Sequence, residues 1–288
     1  MIAVIIPALN EEKAVSKVIL DFTKQGFKDI YVIDGGSKDD TVKFAKKAGA
    51  KVLFQNGKGK GDALRQALKE IDADIYVTVD ADDTYDASRI TELVEPVKNG
   101  EYAMVVAKRS SSEIPVFNRF GNFLFNTIVS VFYRYRLTDI LSGYRVMSSE
   151  LVRAVRLNSD DFEIETELTV EALENKFKIL EIPTLYKPRI GETKLNPVRD
   201  GFRIGMTLVR LVRDYKPLKV FFGISFVCLI FGFVFGMRVV LDVLRTGEMH
   251  FVGSTVLSVL FIIIGIQFFS VGLLADMISR RLRKLENK

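Results

Sequence analysis

Short β-branched and apolar runs alternate with stretches of helical periodicity from Met1 to about Lys108. The runs that predict buried strands are Ala3–Ile6, Ile30–Ile33, Lys51–Phe54, Ile75–Val79 and Ala103–Ala107. Between them, helical patterns lie near Glu11–Gln25, Asp40–Ala48, Asp62–Glu70 and Ala87–Lys98. This alternation predicts an α/β domain whose parallel sheet is covered on both faces. Ligands of such sheets bind beyond the carboxyl ends of the strands, just after Ile6, Ile33 and Val79 here.

Two long uncharged runs, Val220–Met237 and Phe251–Ala275, dominate the last third of the chain. At 1.5 Å per residue the first run spans roughly 27 Å, so it can cross a hydrocarbon core of about 30 Å. A pair of buried core helices is the alternative, but two such runs in succession leave too little polar surface. The pattern therefore predicts two transmembrane helices over residues 217–279.

Basic residues flank this predicted hairpin on both outer sides: Arg210, Arg213, Lys216 and Lys219 precede it, and Arg280, Arg281, Arg283 and Lys284 follow it. In the connecting segment, two acidic residues offset two arginines. The positive-inside rule then predicts that the N-terminal domain, the basic tail 280–288 and both termini are cytoplasmic. Met1 also leads straight into the short apolar run Ile2–Ile6, without the basic leader of a signal peptide.

Two further helical patterns are amphipathic. In the juxtamembrane segment 199–216, arginines fall within an arc of about 80°. These are Arg199, Arg203, Arg210 and Arg213, while Phe202, Met206, Val209 and Val212 are expected to point elsewhere. This predicts an interfacial helix whose arginines face lipid phosphates, with a solvated charged face as the alternative. Over residues 116–136, polar residues recur every fourth position in an apolar stretch, which fits a core helix and a membrane-surface helix equally well.

Composition narrows the chemistry. The net charge of +5 is modest, so no nucleic-acid partner is expected, and 27% charged residues with a mean hydropathy of +0.18 fit a soluble part joined to a membrane part. The single cysteine, Cys228, excludes an internal disulfide framework, and the single histidine, His250, excludes a multi-histidine metal site. A metal would therefore be held mainly by oxygen, which favours Mg²⁺ or Mn²⁺.

Polar residues follow the first two predicted strands. Asn10 could cap the next helix, with Glu11 and Glu12 favourable at its positive end. Asp34 is the last residue of a hydrophobic strand, where a carboxylate is unfavourable unless it finds hydrogen-bond donors. A nucleotide base N–H or a ribose hydroxyl would supply them, and a structural turn is the open alternative.

Asp80, Asp82 and Asp83 place three carboxylates within four residues, so a positive group is expected among them. Two aspartates separated by one residue at a strand end can bind a divalent cation that also bridges a diphosphate, and a polar turn is the alternative. Upstream, the glycine loop Gly57–Gly61 precedes a helix and offers backbone N–H groups and two lysines to phosphate. It is neither a Walker loop nor G-x-G-x-x-G, so a dinucleotide-binding fold is unsupported.

In their order, these motifs resemble glycosyltransferase family 2; they are Pro7–Glu12, Asp34–Thr41, Lys58–Gly61 and Asp80-Ala81-Asp82. Thr138–Arg145 is similar to that family's D-x-x-S-G-[FY]-R segment. Phe162–Leu168, Glu181–Pro183 and Arg189–Leu195 resemble the polyprenol-phosphate branch, the dolichol-phosphate-mannose synthase-like enzymes. The resemblance covers residues 1 to about 200. It implies a GT-A catalytic domain over residues 1–198 and an inverting transfer of one hexose.

The resemblance also implies roles for individual residues. The nucleotide site would be lined by Pro7, Leu9, Glu11, Asp34 and Lys60, with Asp80 and Ala81 near the ribose and diphosphate. Asp82 would be the principal metal ligand, assisted by Asp80 and Thr84. The acceptor phosphate would be received by Arg109, Arg119, Arg189 and Lys194. The family often has an aromatic residue where Leu9 stands.

The predicted acceptor is polyprenyl or dolichyl phosphate, at the surface of membrane lipids. A phosphate monoester is largely dianionic at neutral pH, so it needs a cationic cradle more than a general base. A UDP-sugar is slightly favoured over GDP-mannose as the donor, and an oligomer is left open. The alternatives are a glycosyltransferase acting on a hydroxyl, a membrane scaffold that binds nucleotide without turnover, and a processive polysaccharide synthase. The last would be expected to show Q-x-x-R-W, and this chain has no tryptophan.

Overall fold

The computed structural model describes residues 1–110, 116–190 and 197–286. These residues form two compact units, Met1–Leu208 and Val209–Lys288. The first unit is built on one sheet, whose strands are β1 (Ile2–Ala8), β2 (Asp29–Asp34), β3 (Lys51–Phe54), β4 (Ile75–Thr78), β5 (Met104–Lys108), β6 (Arg145–Ser148) and β7 (Ile179–Pro183). Five of these strands, β1 to β5, were predicted from their β-branched and apolar runs. The prediction that all five are buried is wrong for β3, because it is an edge strand whose Lys51 and Phe54 are exposed.

The strand order is β3-β2-β1-β4-β6-β5-β7. The prediction of a parallel sheet is wrong at one strand, because β6 runs antiparallel to both of its neighbours, β4 and β5. The chain enters β6 from the edge at which β4 ends, where the Thr78 hydroxyl donates to the Gly143 carbonyl oxygen (3.1 Å). As a result, the segment just before β6 lies against the aspartates that follow β4.

Helices surround this sheet: α1 (Val15–Lys24), α2 (Thr41–Lys47), α3 (Lys60–Glu70), α4 (Ile90–Lys98), α5 (Val116–Tyr133), α6 (Ser149–Ala154), α7 (Ile164–Glu174) and α8 (Pro197–Tyr215). The first four correspond to the predicted helical patterns. The predicted end of the catalytic domain at residue 198 falls in the first turn of α8. Every residue of α7 from Ile164 to Ala172 is buried, including three glutamates.

Helix α5 buries polar as well as apolar residues. Asn122 and Asn126 are buried; Nδ2 of Asn122 donates to Asp139 (3.3 Å), and Oδ1 of Asn126 accepts from the Ile140 backbone N–H (3.0 Å). Apolar side chains of the helix are buried as well, but Phe123 is 69% exposed. A helix that buries asparagines and exposes large apolar side chains differs from an ordinary core helix.

Helix α8 has a mixed outer face. Phe202 and Met206 are exposed, whereas Ile204 and Leu208 are buried against the first unit. The expectation that the apolar residues point away from the arginines is wrong for the exposed Phe202 and Met206. At roughly 100° per residue, Met206 falls between Arg199 and Arg213 on the helical wheel.

The second unit contains two long helices, α9 (Pro217–Thr246) and α10 (Val252–Glu286). They pack through small residues: the Ser225 hydroxyl donates to the Gly265 carbonyl and the Ser258 hydroxyl to the Gly232 carbonyl, both at 2.7 Å. Only 11% and 17% of their most apolar stretches are buried. The alternative of buried core helices is therefore wrong, because both helices are long and apolar enough to cross a membrane and expose that surface.

Candidate active site

The carboxyl ends of β1, β2 and β4 meet at one edge of the sheet, because β1 pairs in parallel with both of the others. Asp34 ends β2, and Asp80 follows β4 after one intervening residue. The Asp139–Arg145 segment reaches the same edge. A Cβ atom at Gly143 would lie 2.8 Å from both Asp80 Oδ2 and the Lys60 ammonium, so a side chain there would displace these two groups. The structure therefore brings the D-x-x-S-G-Y-R segment to the aspartates.

Each of the three clustered aspartates has its own cation, which confirms the prediction of positive charge among them. Asp80 accepts from Lys60 on α3 (2.5 Å), and Asp82 pairs with Arg189 (3.1 Å). Asp83 pairs with Lys17 on α1. The backbone of Asp83 is left-handed, with a φ of 59°.

Hydrogen bonds within the protein fix the position of the Asp82 carboxylate. Its Oδ1 accepts from the hydroxyl of Thr84 (2.6 Å) and from the backbone N–H of the same residue (3.2 Å). Burial, together with the nearby charge of Asp80, raises the pKa of the Asp82 carboxyl. Thr84 is buried, and its hydroxyl donates its hydrogen bond to Asp82. Thr84 thus contacts Asp82, the predicted metal ligand. That Thr84 itself coordinates the metal stays a prediction.

Arg189 joins two carboxylates that the sequence assigned to different roles. Its guanidinium donates to Glu11, the predicted nucleotide residue, and to Asp82, the predicted metal ligand. Its Nε is buried and finds no hydrogen-bond partner among the described residues. Arg189 therefore supplies positive charge at the site where a metal ion is predicted.

Lys60 lies between Asp80 (2.5 Å) and Glu165 on α7 (2.6 Å). Burial by itself lowers the pKa of the ammonium, but the two carboxylates more than offset this and raise it. Sequence reasoning missed Glu165 as a site residue. The available signal was its position in the Phe162–Leu168 segment, whose acidic residues look solvent-facing without the fold.

The interpretation of the glycine loop as a phosphate cradle is wrong in part. The backbone N–H groups of Gly61 and Asp62 both donate to the carbonyl oxygen of Asp160, at 3.0 and 3.2 Å. A Cβ atom would lie 2.2 Å from the Asp160 carbonyl oxygen at Gly59 and 2.3 Å from that of Ser159 at Gly61. These two glycines allow the 159–160 segment to approach closely, and the N–H groups of Gly61 and Asp62 are bonded to that segment and not available to phosphate.

The loops after β1 and β2 bond to each other. Asn10 accepts from the Lys38 backbone N–H (2.8 Å) and does not cap α1, so the capping interpretation is wrong. Asp34 is buried and accepts from the backbone N–H groups of Gly36 (3.0 Å) and Ser37 (3.1 Å). The turn alone supplies the donors that this carboxylate requires, and a nucleotide contact by Asp34 stays a prediction. Beside these loops, Leu9 is 41% exposed.

The other predicted nucleotide residues differ in accessibility. Pro7 is half-buried in β1, whereas Ala81 and Glu11 are buried. The ring of Tyr186 contacts the ring of Tyr85, with the centroids 5.2 Å apart.

On the predicted acceptor side, Arg109 is held by Asp139. Its Nε and Nη2 donate to the two carboxylate oxygens at 2.8 and 2.7 Å, and its guanidinium lies 5.5 Å from the centre of the Tyr186 ring. Asp139 is 1% exposed and also accepts from Asn122. Arg119 has an exposed side chain on α5. Lys194 lies outside the described residues.

The donor set fits a divalent metal of the Mg²⁺ or Mn²⁺ kind. Among residues 1–110, 116–190 and 197–286, no three acidic, histidine or cysteine side chains converge as a complete metal cage. Mg²⁺ is commonly bound by one or two carboxylates plus substrate phosphates rather than by an all-protein cage. Asp82, with the nearby Asp80, matches that arrangement, and the Arg189 guanidinium on Asp82 marks the need for positive charge there.

Residues 3–156 match the family described as Glycosyl transferase family 2, and residues 216–281 match the GtrB C-terminal hairpin. Glycosyltransferase AglJ of Haloferax volcanii is 34% identical over 284 residues, covering 96% of this chain and 93% of the relative. The UDP-N-acetylglucosamine–dolichyl-phosphate N-acetylglucosaminyltransferase of Methanococcus voltae is 30% identical, covering 73% and 96%. A dolichyl-phosphate hexose transferase of Haloferax volcanii is 30% identical, covering 75% and 95%.

Among solved structures, glucosyl-3-phosphoglycerate synthase of Mycobacterium tuberculosis in complex with Mn²⁺ and UDP-glucose is similar, with a TM-score of 0.61. The identity is 22%, and the match covers 73% of this chain and 78% of that one. At this identity the likeness concerns the fold, and the predicted GT-A architecture is confirmed.

Proposed function

The chain belongs to glycosyltransferase family 2, and from this premise we propose that it transfers one hexose from a nucleotide-diphosphate sugar to a polyprenyl phosphate. One observation carries the choice of acceptor. Helix α5, which exposes large apolar side chains, holds Asp139 through Asn122, and Asp139 holds Arg109. The Arg109 guanidinium, which suits a phosphate, is thereby fixed to α5, whose exposed apolar side chains suit a lipid.

The relatives support this acceptor and this donor class. Two of them carry dolichyl phosphate in their names, and one of these also names a UDP-sugar. We therefore keep UDP-sugars as the favoured donors over GDP-mannose. The hairpin of α9 and α10, with its exposed apolar surface, would anchor the enzyme where a polyprenyl phosphate resides.

In the proposed reaction an acceptor phosphate oxygen forms a bond to the anomeric carbon while the bond from that carbon to the nucleoside diphosphate breaks. Arg109 and Arg189 would orient the acceptor, and Asp82 with Asp80 would hold Mg²⁺ or Mn²⁺. When bound, the metal would offset negative charge on the departing diphosphate. Asp139 accepts hydrogen bonds from Nε and Nη2 of Arg109, so its role is to position that arginine rather than to remove a proton.

The test uses purified full-length protein, a panel of UDP- and GDP-sugars, polyprenyl phosphate and Mg²⁺ or Mn²⁺, with glycolipid formation as the readout. Asp82→Ala should abolish the product. Asp86→Asn is the matched control, because that side chain caps a short helical turn through Ser88 and can do so as asparagine. No glycolipid from folded wild-type protein, or product only on a soluble hydroxyl acceptor, contradicts the proposal.

We also propose that the catalytic unit and both termini are cytoplasmic and that the loop joining α9 to α10 is external. The basic outer flanks support this orientation through the positive-inside rule. The test replaces the only cysteine by Cys228→Ser, introduces Gly247→Cys in the loop and applies a membrane-impermeant maleimide to intact cells. Labelling only after the membrane is opened would contradict this orientation.

A further inference from the structure

A buried ion triad lies next to the proposed metal ligands. The Lys60 ammonium contacts Asp80 at 2.5 Å and Glu165 at 2.6 Å. The Lys60 and Glu165 side chains are 14% and 6% exposed, whereas Asp80 is 29% exposed. Asp80 is therefore the only one of the three with substantial access to a ligand.

One cation shared by two carboxylates leaves the triad with a net negative charge. If Lys60 had Asp80 as its only anionic partner, the two charges would cancel and Asp80 would attract a metal ion weakly. Glu165 takes up part of the ammonium's charge, and both carboxylates lie within hydrogen-bond distance of the same nitrogen. The buried Arg145 also attracts Glu165 electrostatically, but its hydrogen bonds go to backbone carbonyl oxygens and to the Thr169 hydroxyl rather than to the triad.

We propose that Glu165 is a positioning residue for the metal and donor site, acting through Lys60 to hold Asp80 in its orientation and to leave the charge of Asp80 only partly offset by the ammonium. This inference rests on the proposed function, because it assumes that a divalent cation binds at Asp80 and Asp82. Glu165 itself does not contact the metal.

The same helix provides a matched control. Glu167 is equally buried, but its carboxylate accepts from the backbone N–H groups of Asn158 (3.0 Å) and Ser159 (2.8 Å). Glu167→Gln thus removes a buried negative charge two residues away without touching the triad. Any difference between Glu165→Gln and Glu167→Gln is specific to the contact with Lys60.

The experiment titrates full-length protein with Mn²⁺ in the presence of UDP and follows the free ion by electron paramagnetic resonance, with UDP alone as the blank. We expect Glu165→Gln to weaken Mn²⁺ binding about tenfold or more, and Glu167→Gln to stay within about twofold of wild type. The double variant Lys60→Gln/Glu165→Gln removes one charge of each sign. It should recover affinity to within about threefold of wild type, since the net charge is restored.

The outcomes separate the inference from the function on which it rests. If wild-type protein binds Mn²⁺ with UDP but Glu165→Gln matches it, or the double variant is no better than the single one, the inference is overturned. If folded wild-type protein binds no Mn²⁺, the proposed function falls first. Should Glu165→Gln fail to fold, the double variant decides: affinity near wild type supports charge sharing, and a loss of more than about tenfold overturns it.

Discussion

Replacing Arg189 should strengthen metal binding even though the residue lies in the proposed active site. Its Nη1 is 3.1 Å from Asp82 Oδ2, an oxygen that a metal ion bound to Asp82 would also need. A cation arriving at Asp82 must break or weaken this pair. Charge-assisted hydrogen bonds are worth about 1.5–3 kcal/mol net, and about 1.4 kcal/mol corresponds to a factor of ten in binding. Arg189→Gln should therefore tighten Mn²⁺ binding by at least about tenfold.

The same substitution should reduce glycolipid formation, because Arg189 is also a proposed acceptor ligand. Lys187→Gln is the matched control: it removes one positive charge two residues away, where the side chain pairs with Asp86 (3.5 Å) rather than with Asp82. Mn²⁺ affinity is measured by electron paramagnetic resonance and product by thin-layer chromatography. Unchanged or weaker Mn²⁺ binding by Arg189→Gln would refute the view that the arginine occupies the cation's place.

Three further results are expected. Asp139→Asn removes the charge that holds Arg109, so the KM for polyprenyl phosphate should rise about tenfold while the KM for the donor stays constant; equal changes in both would contradict the positioning role. Gly61→Ala should lower the free energy of unfolding by at least about 1 kcal/mol in thermal denaturation, whereas Gly201→Ala, which meets no atom within 4 Å, should not. Because the pKa of Asp82 is raised, protons should displace Mn²⁺ as the pH falls, starting above the ordinary aspartate value of about 3.9. Asp82→Asn should bind Mn²⁺ weakly with a flat pH profile, and a wild-type affinity constant down to pH 4 would exclude Asp82 as a ligand.

The sheet could be predicted strand by strand where apolar runs are continuous, and not elsewhere. β6 opens with Arg145, a residue that is usually exposed, yet this one is 1% exposed. Its guanidinium bonds to the carbonyl oxygens of Ile140 and Ser142 and to the Thr169 hydroxyl. These partners become available only after the chain has folded, so no local pattern indicates that the arginine begins a strand.

The sequence predicts that the aspartates of the candidate site need cations nearby, but not which cation pairs with which aspartate. Repulsion within the aspartate cluster requires cations, and this much follows from the sequence. Which cation serves which aspartate depends on Lys17, Lys60 and Arg189, which are far apart in the chain and meet only in the fold. Glu165 was not predicted as a site residue for the same reason, because its partner Lys60 is distant in the chain.

The glycine loop shows the opposite failure, in which a local pattern suggested a ligand that the fold replaces. Glycines with intervening lysines are typical of phosphate-binding turns, and nothing nearby in the sequence argues otherwise. The actual neighbour of Gly59 and Gly61 is the 159–160 segment, about a hundred residues later. Close approach of backbone explains the glycines equally well, and only the structure distinguishes the two.

The exposed apolar side chains of α5 have a practical consequence for anyone preparing this enzyme. Cutting the chain before α9 would remove the hairpin but leave Phe123, Leu124 and Val131 facing outward on the first unit. Such a fragment would still be an amphiphile, and we expect it to require detergent or liposomes to stay dispersed. Its affinity for bilayers would belong to the sugar-transferring half itself, and not solely to the helices that follow it.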